Sequence, residues 1–476
     1  MGAMTLVKPN LHRIDVDARQ MLFHVPSSSI FELDDLSREL LSLFDRHGEV
    51  TEELLAPLNG RFGAADVEEA ISEFRALEMI VGEGAVGRFN PEPQKVTKFP
   101  LTTVVLNVNT GCNLSCTYCY KEDLTTPSKG ELMGLDTAIK SIEMLLKESP
   151  DQPSYNVVFF GGEPLSNMPL IREVVAYCEK RFAELDAQVS FTLTTNATLL
   201  NEKLVDWFNE HRFGLTISMD GPKAMHDKNR ITVGGQGTYD VVRRKVEMLL
   251  SRYTARPVGC RVTLTRGITD VEKIFDHLYF DLGFAEVGFG PVTSGDIAEF
   301  NLTPEEQVEV FEGMKRLGRR YLEAASRGEN FGFGNMHQML TDMYEGNKKL
   351  IPCGAGVQLL AVDKDGGLNL CHRFTGSDMP LFGNVETGID KPRLAEFVEK
   401  RLDRSNTGCE TCRIRNLCSG GCYHESYAKY GDPTKPSYHY CDLMRDWIDF
   451  GVEVYSRIML GNPGFFEAYV SPRRSA

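Results

Sequence analysis

No stretch of about 18 consecutive apolar residues occurs in this chain, so no helix is expected to span a membrane. The N-terminus has no apolar h-region, which leaves no basis for a secretory signal; Met1-Gly2-Ala3 reads as a remnant ahead of a start at Met4. Basic residues are in deficit. Against 67 Asp and Glu stand 52 Lys and Arg, a formal net charge of −15, and a field of that sign disfavours a nucleic-acid partner. Internal repeats and low-complexity segments are missing as well. With no secretion signal, twelve cysteines argue against disulfides and for metal ligation in a reducing cytoplasm. The 476 residues, 42% hydrophobic and 25% charged, suffice for two or three domains with well-buried cores.

The stretch Gly111-Cys112-Asn113-Leu114-Ser115-Cys116-Thr117-Tyr118-Cys119-Tyr120 organises what remains. Its three cysteines come after an apolar run, Leu101–Val108, that reads as a strand, which places them on a loop at the strand's C-terminal end. Three thiolates can hold three irons of a cubane cluster and leave the fourth iron open. A structural zinc site or an ordinary ferredoxin would want a fourth cysteine nearby, and none follows Cys119 until Cys178. The pattern resembles the signature of the radical S-adenosylmethionine (SAM) enzymes. In that family the open iron chelates SAM, and the reduced cluster cleaves it to a 5′-deoxyadenosyl radical.

Residues 1–95 read as a unit of their own. Alternating runs at His12–Val16, Gln20–Val25 and Ser29–Leu33 predict a small antiparallel sheet. Helical patterns come next: one capped by Asp34 or Asp35 with Leu36, Leu40, Leu41 and Phe44 on one face, then Val50–Leu58 and Ala65–Met79. The arrangement resembles the winged-helix-like element that recognises leader peptides in ribosomal peptide-modifying systems; a generic helical cap is the plainer reading. Gly87–Lys98, with Pro91 and Pro93, reads as a linker.

From residue 100 to 328, strand and helix patterns alternate. Strands are expected at Leu101–Val108, Asn156–Phe160, Ser190–Thr195, Leu215–Met219, Val258–Leu264 and Glu286–Phe289. Six β–α units imply a parallel sheet with right-handed crossovers, an α/β partial (β/α)6 barrel, with ligand sites at the C-terminal strand ends. Phe160-Gly161-Gly162-Glu163-Pro164 closes the second strand and resembles the "GGEP" of radical SAM enzymes, whose backbone and acidic group meet the amino end of SAM. Thr194-Thr195-Asn196-Ala197-Thr198 closes the third, where short polar groups such as Asn196 suit ribose hydroxyls, and a capping turn accounts for Thr198 and Asn201 equally well. Ser218-Met219-Asp220-Gly221-Pro222, with His226, Asp227 and Arg230, resembles a stretch of members that modify peptides and proteins. The resemblance assigns Tyr118 and Ser218 to SAM and Asp220 to the substrate cavity. His226 and Arg230 read as structural, and Cys178 and Cys260 as buried free cysteines.

Residues 340–476 hold Cys353, Cys371, Cys409, Cys412, Cys418, Cys422 and Cys441. Cys409-x-x-Cys412 has a zinc-knuckle spacing, but seven ligands do not divide into tetrahedral zinc sites. The block resembles the SPASM extension, which carries two auxiliary 4Fe–4S clusters. That resemblance gives Cys409, Cys412, Cys418 and Cys441 to one cluster and Cys353, Cys371 and Cys422 to the other. Some relatives, anaerobic sulfatase maturases among them, have a further cysteine just before the position of Cys353; Tyr344–Pro352 has none, so that cluster is expected to keep an open iron. Sulfatase maturases also carry an aspartate base just after the position of Cys371, where this chain has His372.

Cys371-His372-Arg373-Phe374, with Gly383-Asn384-Val385, resembles the thioether-forming peptide maturases. The resemblance implies an enzyme with three 4Fe–4S clusters, one SAM-binding and two auxiliary. It would link Cys sulfur to an Asp or Glu methylene carbon in a small cysteine-rich subunit or precursor peptide held by residues 1–95. An electron donor of flavodoxin or ferredoxin type would serve it. Other radical peptide chemistry, such as an α-carbon thioether, a carbon–carbon link or formylglycine formation, is the alternative. A non-catalytic iron–sulfur or zinc protein is the rival from another class.

Overall fold

The computed structural model describes residues 2–85, 87, 95–119, 130–292 and 299–470. Tyr120 and the prolines of the expected linker, Pro91 and Pro93, lie outside these residues. No described helix is long and apolar enough to cross a membrane.

The first strand, β1 (Met4–Leu6), precedes an antiparallel sheet of β2 (Leu11–Val16), β3 (Arg19–His24) and β4 (Ser29–Glu32). Next come α1 (Asp35–His47), β5 (Glu49–Val50), α2 (Glu52–Phe62), α3 (Ala64–Ala76) and β6 (Ile80–Gly82). Asp34 caps α1, accepting from the Ser37 amide at 2.7 Å. Leu40, Leu41, Phe44, Val67 and Ile71 fill a core separate from the rest of the molecule. The sheet β5-β1-β6 is a feature the sequence pattern did not suggest, because its strands are two or three residues long.

An eight-stranded sheet in the order β12-β11-β10-β9-β8-β7-β13-β14 forms the centre. Six of its parallel strands, those of the barrel, are β7 (Thr103–Asn109), β8 (Ser154–Gly161), β9 (Gln188–Thr195), β10 (Gly214–Ser218), β11 (Gly259–Leu264) and β12 (Glu286–Pro291). Between them lie α4 (Leu135–Glu148), α5 (Met168–Ala183), α6 (Glu202–Glu210), α7 (Lys223–Asn229), α8 (Tyr239–Arg252) and α9 (Val271–Asp276). This is the expected partial barrel of six β–α units. Period-2 alternation decides what faces where. Val157, Phe159, Leu193, Ile217, Cys260 and Val262 are buried in the hydrophobic core. Asn156, Thr192, Thr194, Ser218, Arg261 and Thr263 alternate with them and line a polar inner face.

Beyond the barrel run α10 (Pro304–Ser326), α11 (Gly334–Tyr344), β13 (Leu359–Val362), β14 (Leu368–Asn369), β15 (Gly383–Asn384), β16 (Gly388–Ile389), α12 (Lys391–Leu402), α13 (Tyr423–Tyr430), α14 (Cys441–Gly461) and α15 (Gly464–Tyr469). Strand β13 runs parallel to β7, so the C-terminal segment extends the barrel sheet directly.

The cysteine-rich segment is also fastened to the N-terminal unit. Buried Arg415 donates to the Pro9 carbonyl at 2.6 Å, the Asn10 Oδ1 at 2.8 Å and the Cys412 carbonyl at 3.3 Å, while Asn416 donates to the Val25 carbonyl at 2.7 Å. Arg415→Ala strands these acceptors and should cost about 3 kcal/mol. Limited proteolysis should then cut within residues 1–95 sooner than in the parent protein; an unchanged cleavage rate would remove this residue from the interface.

Candidate functional site

Residues 110–119, which come after β7, form no helix or extended strand and are held from outside. The Ser115 amide donates to the Ile231 carbonyl at 2.9 Å, and Thr117 donates to the Asn229 carbonyl at 3.0 Å. Gly162 and Glu163, at the end of β8, donate backbone N–H groups to the Asn109 and Gly111 carbonyls at 2.7 and 3.0 Å. A Cβ on Gly162 would collide with the Gly111 carbonyl oxygen, and Gly161, at φ 146°, lies equally close against Asn109. The paired glycines thus let one strand end lie directly on the cysteine loop.

Glu163 is 1% exposed and ties three strand ends together. Its carboxylate accepts from the Leu165 amide at 3.1 Å, the Thr195 hydroxyl at 2.6 Å and the Asn196 amide at 2.9 Å, and burial pushes its pKa up to about 7. Pro164 begins the short turn behind it. Asn196 reaches back to the loop, donating to the Asn113 Oδ1 at 3.0 Å and to the Cys112 Sγ at 3.8 Å. Ser218 stands half-buried at the end of β10 on the inner face.

Asp220 corrects the sequence reading. It does not face a cavity: it is 0% exposed, and both carboxylate oxygens are occupied. Oδ2 accepts from the Tyr118 hydroxyl at 2.6 Å and from Arg230 Nε at 2.8 Å; Oδ1 accepts from Arg230 Nη2 at 3.2 Å and from the Thr263 amide at 3.0 Å. A buried carboxylate opposite a guanidinium is drawn into a bidentate pair, and the Arg230 cation also lies over the Tyr118 ring at 5.5 Å. Tyr118 is therefore bound to the barrel wall, as a support of the loop. His226 is buried, and its Nδ1 accepts from the Asp220 amide at 3.4 Å.

All twelve cysteines are free thiols. Electrostatic influence groups ten of them. Cys112, Cys116 and Cys119 act on one another, and burial pushes the first two thiols up to about 11 and about 12. Cys353, Cys371 and Cys422 form a second group. Cys409, Cys412, Cys418 and Cys441 form a third and line one cavity of about 340 Å³. Cys178 and Cys260 are 0% and 3% exposed; Cys260 lies on the core side of β11 and donates to the Met219 carbonyl at 3.5 Å.

Iron–sulfur clusters fit these thiols better than single ions do. Among the described residues no three His, Cys, Asp or Glu side chains converge closely enough to hold one metal ion. The cavity among the four thiols of the third group provides room for something larger. Buried thiols with raised pKa values need a strong local cation to ionise, which bound iron supplies. Guanidinium groups surround the third group. Arg401 donates to the carbonyls of Ser419, Gly421, Thr434 and Lys435, and Arg404 donates to those of Leu350, Arg415 and Cys418. These cross-links were missed from the sequence; the run of arginines at 401, 404, 413 and 415 beside the cysteines is the signal that could have found them.

Two features mark the second group. Tyr423 is buried, shares the field of all three thiols, and its hydroxyl has no hydrogen-bond partner among the described residues. His372 packs on Phe160 with ring centroids 4.1 Å apart. A cavity of about 580 Å³ opens beside Cys422, lined by the ends of β11 and β12 and by Gln307, Lys429 and Trp447.

Residues 106–278 match the Radical SAM superfamily model. The cysteine-type anaerobic sulfatase-maturating enzyme of Clostridium perfringens (strain 13 / Type A) is 24% identical over 365 residues, 74% of this chain and 96% of the relative. Among solved structures, native anSMEcpe with bound AdoMet and Cp18Cys peptide aligns at TM-score 0.63 and 21% identity, covering 76% of this chain and 99% of that one. SuiB of Streptococcus suis bound to precursor peptide SuiA aligns at TM-score 0.52 and 14% identity, over 92% of this chain and 99% of that one. With its parallel partial barrel and the cysteine loop at the end of the first barrel strand, the matched segment, residues 106–278, is a radical SAM domain, and the activity it supports is that of a radical SAM enzyme.

Proposed function

We propose that this enzyme forms intrapeptide thioether cross-links, joining Cys sulfur to an Asp or Glu methylene carbon, in a small cysteine-rich subunit or ribosomal precursor peptide. Such chemistry would be that of the maturation protein of quinohaemoprotein amine dehydrogenase, which this sequence resembles at Cys371-His372-Arg373-Phe374. The observation that carries the reading is the Cys353, Cys371 and Cys422 group, beside an open cavity and with no fourth thiol joined to it among the described residues. That leaves a place for a thiol from the substrate, held and deprotonated without a dedicated base.

Cys112, Cys116 and Cys119 are the residues to hold the SAM-binding cluster, and Cys409, Cys412, Cys418 and Cys441 a complete auxiliary one. With SAM bound and an electron from a flavodoxin- or ferredoxin-type donor, the first would supply the 5′-deoxyadenosyl radical that takes a methylene hydrogen; closing the carbon–sulfur bond would release the thiol proton and one electron, which the auxiliary clusters would accept. Gly161, Gly162 and Glu163 fix the loop, and Asn196 and Ser218 border the SAM side of the inner face. His372 packs at a tilt on Phe160, beside Cys371, and serves as packing rather than as a base.

Residues 1–95 suit peptide capture. Among the described residues strand β4 pairs only with β3 and no strand lies on its other edge, where Phe31 is 37% exposed. An extended leader added there gains backbone hydrogen bonds along the strand and a side-chain contact for choice. A cytoplasmic setting accords with twelve free thiols.

The named relatives favour one rival, formylglycine formation. Intact mass separates the two after anaerobic reaction of the reconstituted enzyme with SAM, reductant and a cysteine-rich precursor peptide. Loss of two hydrogens and one free thiol per event, surviving disulfide reduction, is the expected outcome. Exchange of sulfur for oxygen together with loss of two hydrogens, a cysteine side chain turned into an aldehyde, would establish the rival and overturn the thioether reading.

A further inference from the structure

Arg261 projects from β11 onto the inner face, with Ser218 of β10 and Gly288 of β12 as its register partners. Its guanidinium lies over Gly290, where a Cβ would strike it, and Gly290 lines the cavity beside Cys422. Protein surrounds this side chain on nearly every side, yet it stays accessible to space within the barrel. Its one hydrogen bond runs from Nη1 to the Phe289 carbonyl, at 3.3 Å. No carboxylate pairs with it among the described residues, whereas the buried guanidinium of Arg230 has Asp220 as a bidentate partner. A second cation, Arg373, acts on Arg261 and adds to the positive field. A guanidinium exposed to the space within the barrel, with no carboxylate paired to it among the described residues, is available to a ligand, and its planar fork matches a carboxylate in two parallel hydrogen bonds.

We propose that Arg261, supported by the field of Arg373, is a specificity-determining residue that anchors the carboxylate of the substrate's Asp or Glu side chain. This rests on the thioether reading and names what selects the acidic residue. Two carboxylates could reach the inner face: the substrate's and the α-carboxylate of SAM. Position favours the first. Arg230, and not Arg261, acts on Cys116 of the SAM loop, while Cys422 of the second group acts on Arg261. Anchoring the carboxyl group would hold the adjacent methylene beside Cys422 and explain why an acidic side chain, with no intrinsic activation at that carbon, is chosen.

The test uses the reconstituted holoenzyme saturated with SAM, titrated calorimetrically with N-acetyl-glutamate N-methylamide and with its glutamine counterpart. The glutamate probe should bind about tenfold more tightly than the amide, and Arg261→Gln should remove about that factor. Arg261→Lys should retain part of it, and the SAM affinity of both variants should match the parent's. Equal binding of the two probes, no binding of the glutamate probe, or unchanged binding to Arg261→Gln would overturn the assignment. Weakened SAM binding alone would give the guanidinium to SAM. Capture of the probe through Arg261 by an enzyme that forms no thioether would sink the functional reading and leave the anchor standing. Cross-linking indifferent to Arg261→Gln would do the reverse.

Discussion

Replacing Gly162 by alanine should strip the SAM-binding site of its iron and leave the auxiliary thiols loaded. Gly162 has no left-handed backbone angle, so a side chain is forbidden there by contact alone. Its added Cβ would meet the Gly111 carbonyl oxygen inside contact distance and come to 3.0 Å from the Cys112 nitrogen. Both neighbours are backbone, so no rotamer change relieves the clash; the cysteine loop or the end of β8 must move. Displacing the loop separates Cys112 from Cys116 and Cys119, and it breaks the Gly162 and Glu163 amide bonds that hold the loop in place. A misplacement of about 1 Å at a reacting centre costs on the order of a hundredfold in rate. Anaerobically reconstituted Gly162→Ala should therefore contain about four fewer irons per chain, one cluster's worth, with deoxyadenosine formation reduced by about that hundredfold or more. Cys116→Ala is the matching control and should give the same pattern. Full iron content with undiminished SAM cleavage would show that the cysteine loop and the end of β8 are not in close contact.

Much of the barrel was legible because its signals are local. Apolar runs such as Leu101–Val108, bounded by glycine-rich turns, report buried parallel strands whatever packs around them. Cysteine spacing is likewise local, and ten of the thiols lie within one another's electrostatic influence in three groups. What stayed hidden depends on partners distant in sequence. Asp220 looked like a cavity carboxylate because it comes just after a strand end, where ligand sites gather. Its environment is decided by Tyr118, 102 residues away, and Thr263, 43 residues away. Strand β13 is a four-residue apolar run in a cysteine-rich segment and shows its pairing only once β7 offers a free edge. Arg415 and Asn416 bond backbone carbonyls some 400 residues earlier, which no window of sequence reports.

That long-range pairing gives Asp220 a measurable role different from catalysis. Asp220→Ala removes the counter-charge of a buried guanidinium and the acceptor of both the Tyr118 hydroxyl and the Thr263 amide. Burial pushes the Tyr118 phenol well above its usual range, so it remains a donor in search of an acceptor. Breaking one side of a buried pair costs about 3–5 kcal/mol, chiefly because the remaining charge is uncompensated. For a barrel of this size that is roughly 10 °C of thermal midpoint, and Tyr118 should release the cysteine loop with it. A role confined to proton transfer predicts the opposite: an unchanged midpoint, normal iron content and a loss of product alone. The double variant Asp220→Leu/Arg230→Met discriminates further. Removing both charges together leaves no orphaned ion, so it should recover most of the midpoint lost by Asp220→Ala. If the double variant is as unstable as the single one, the pair is not what holds the strand ends, and the hydrogen bonds from Tyr118 and Thr263 must carry the effect instead.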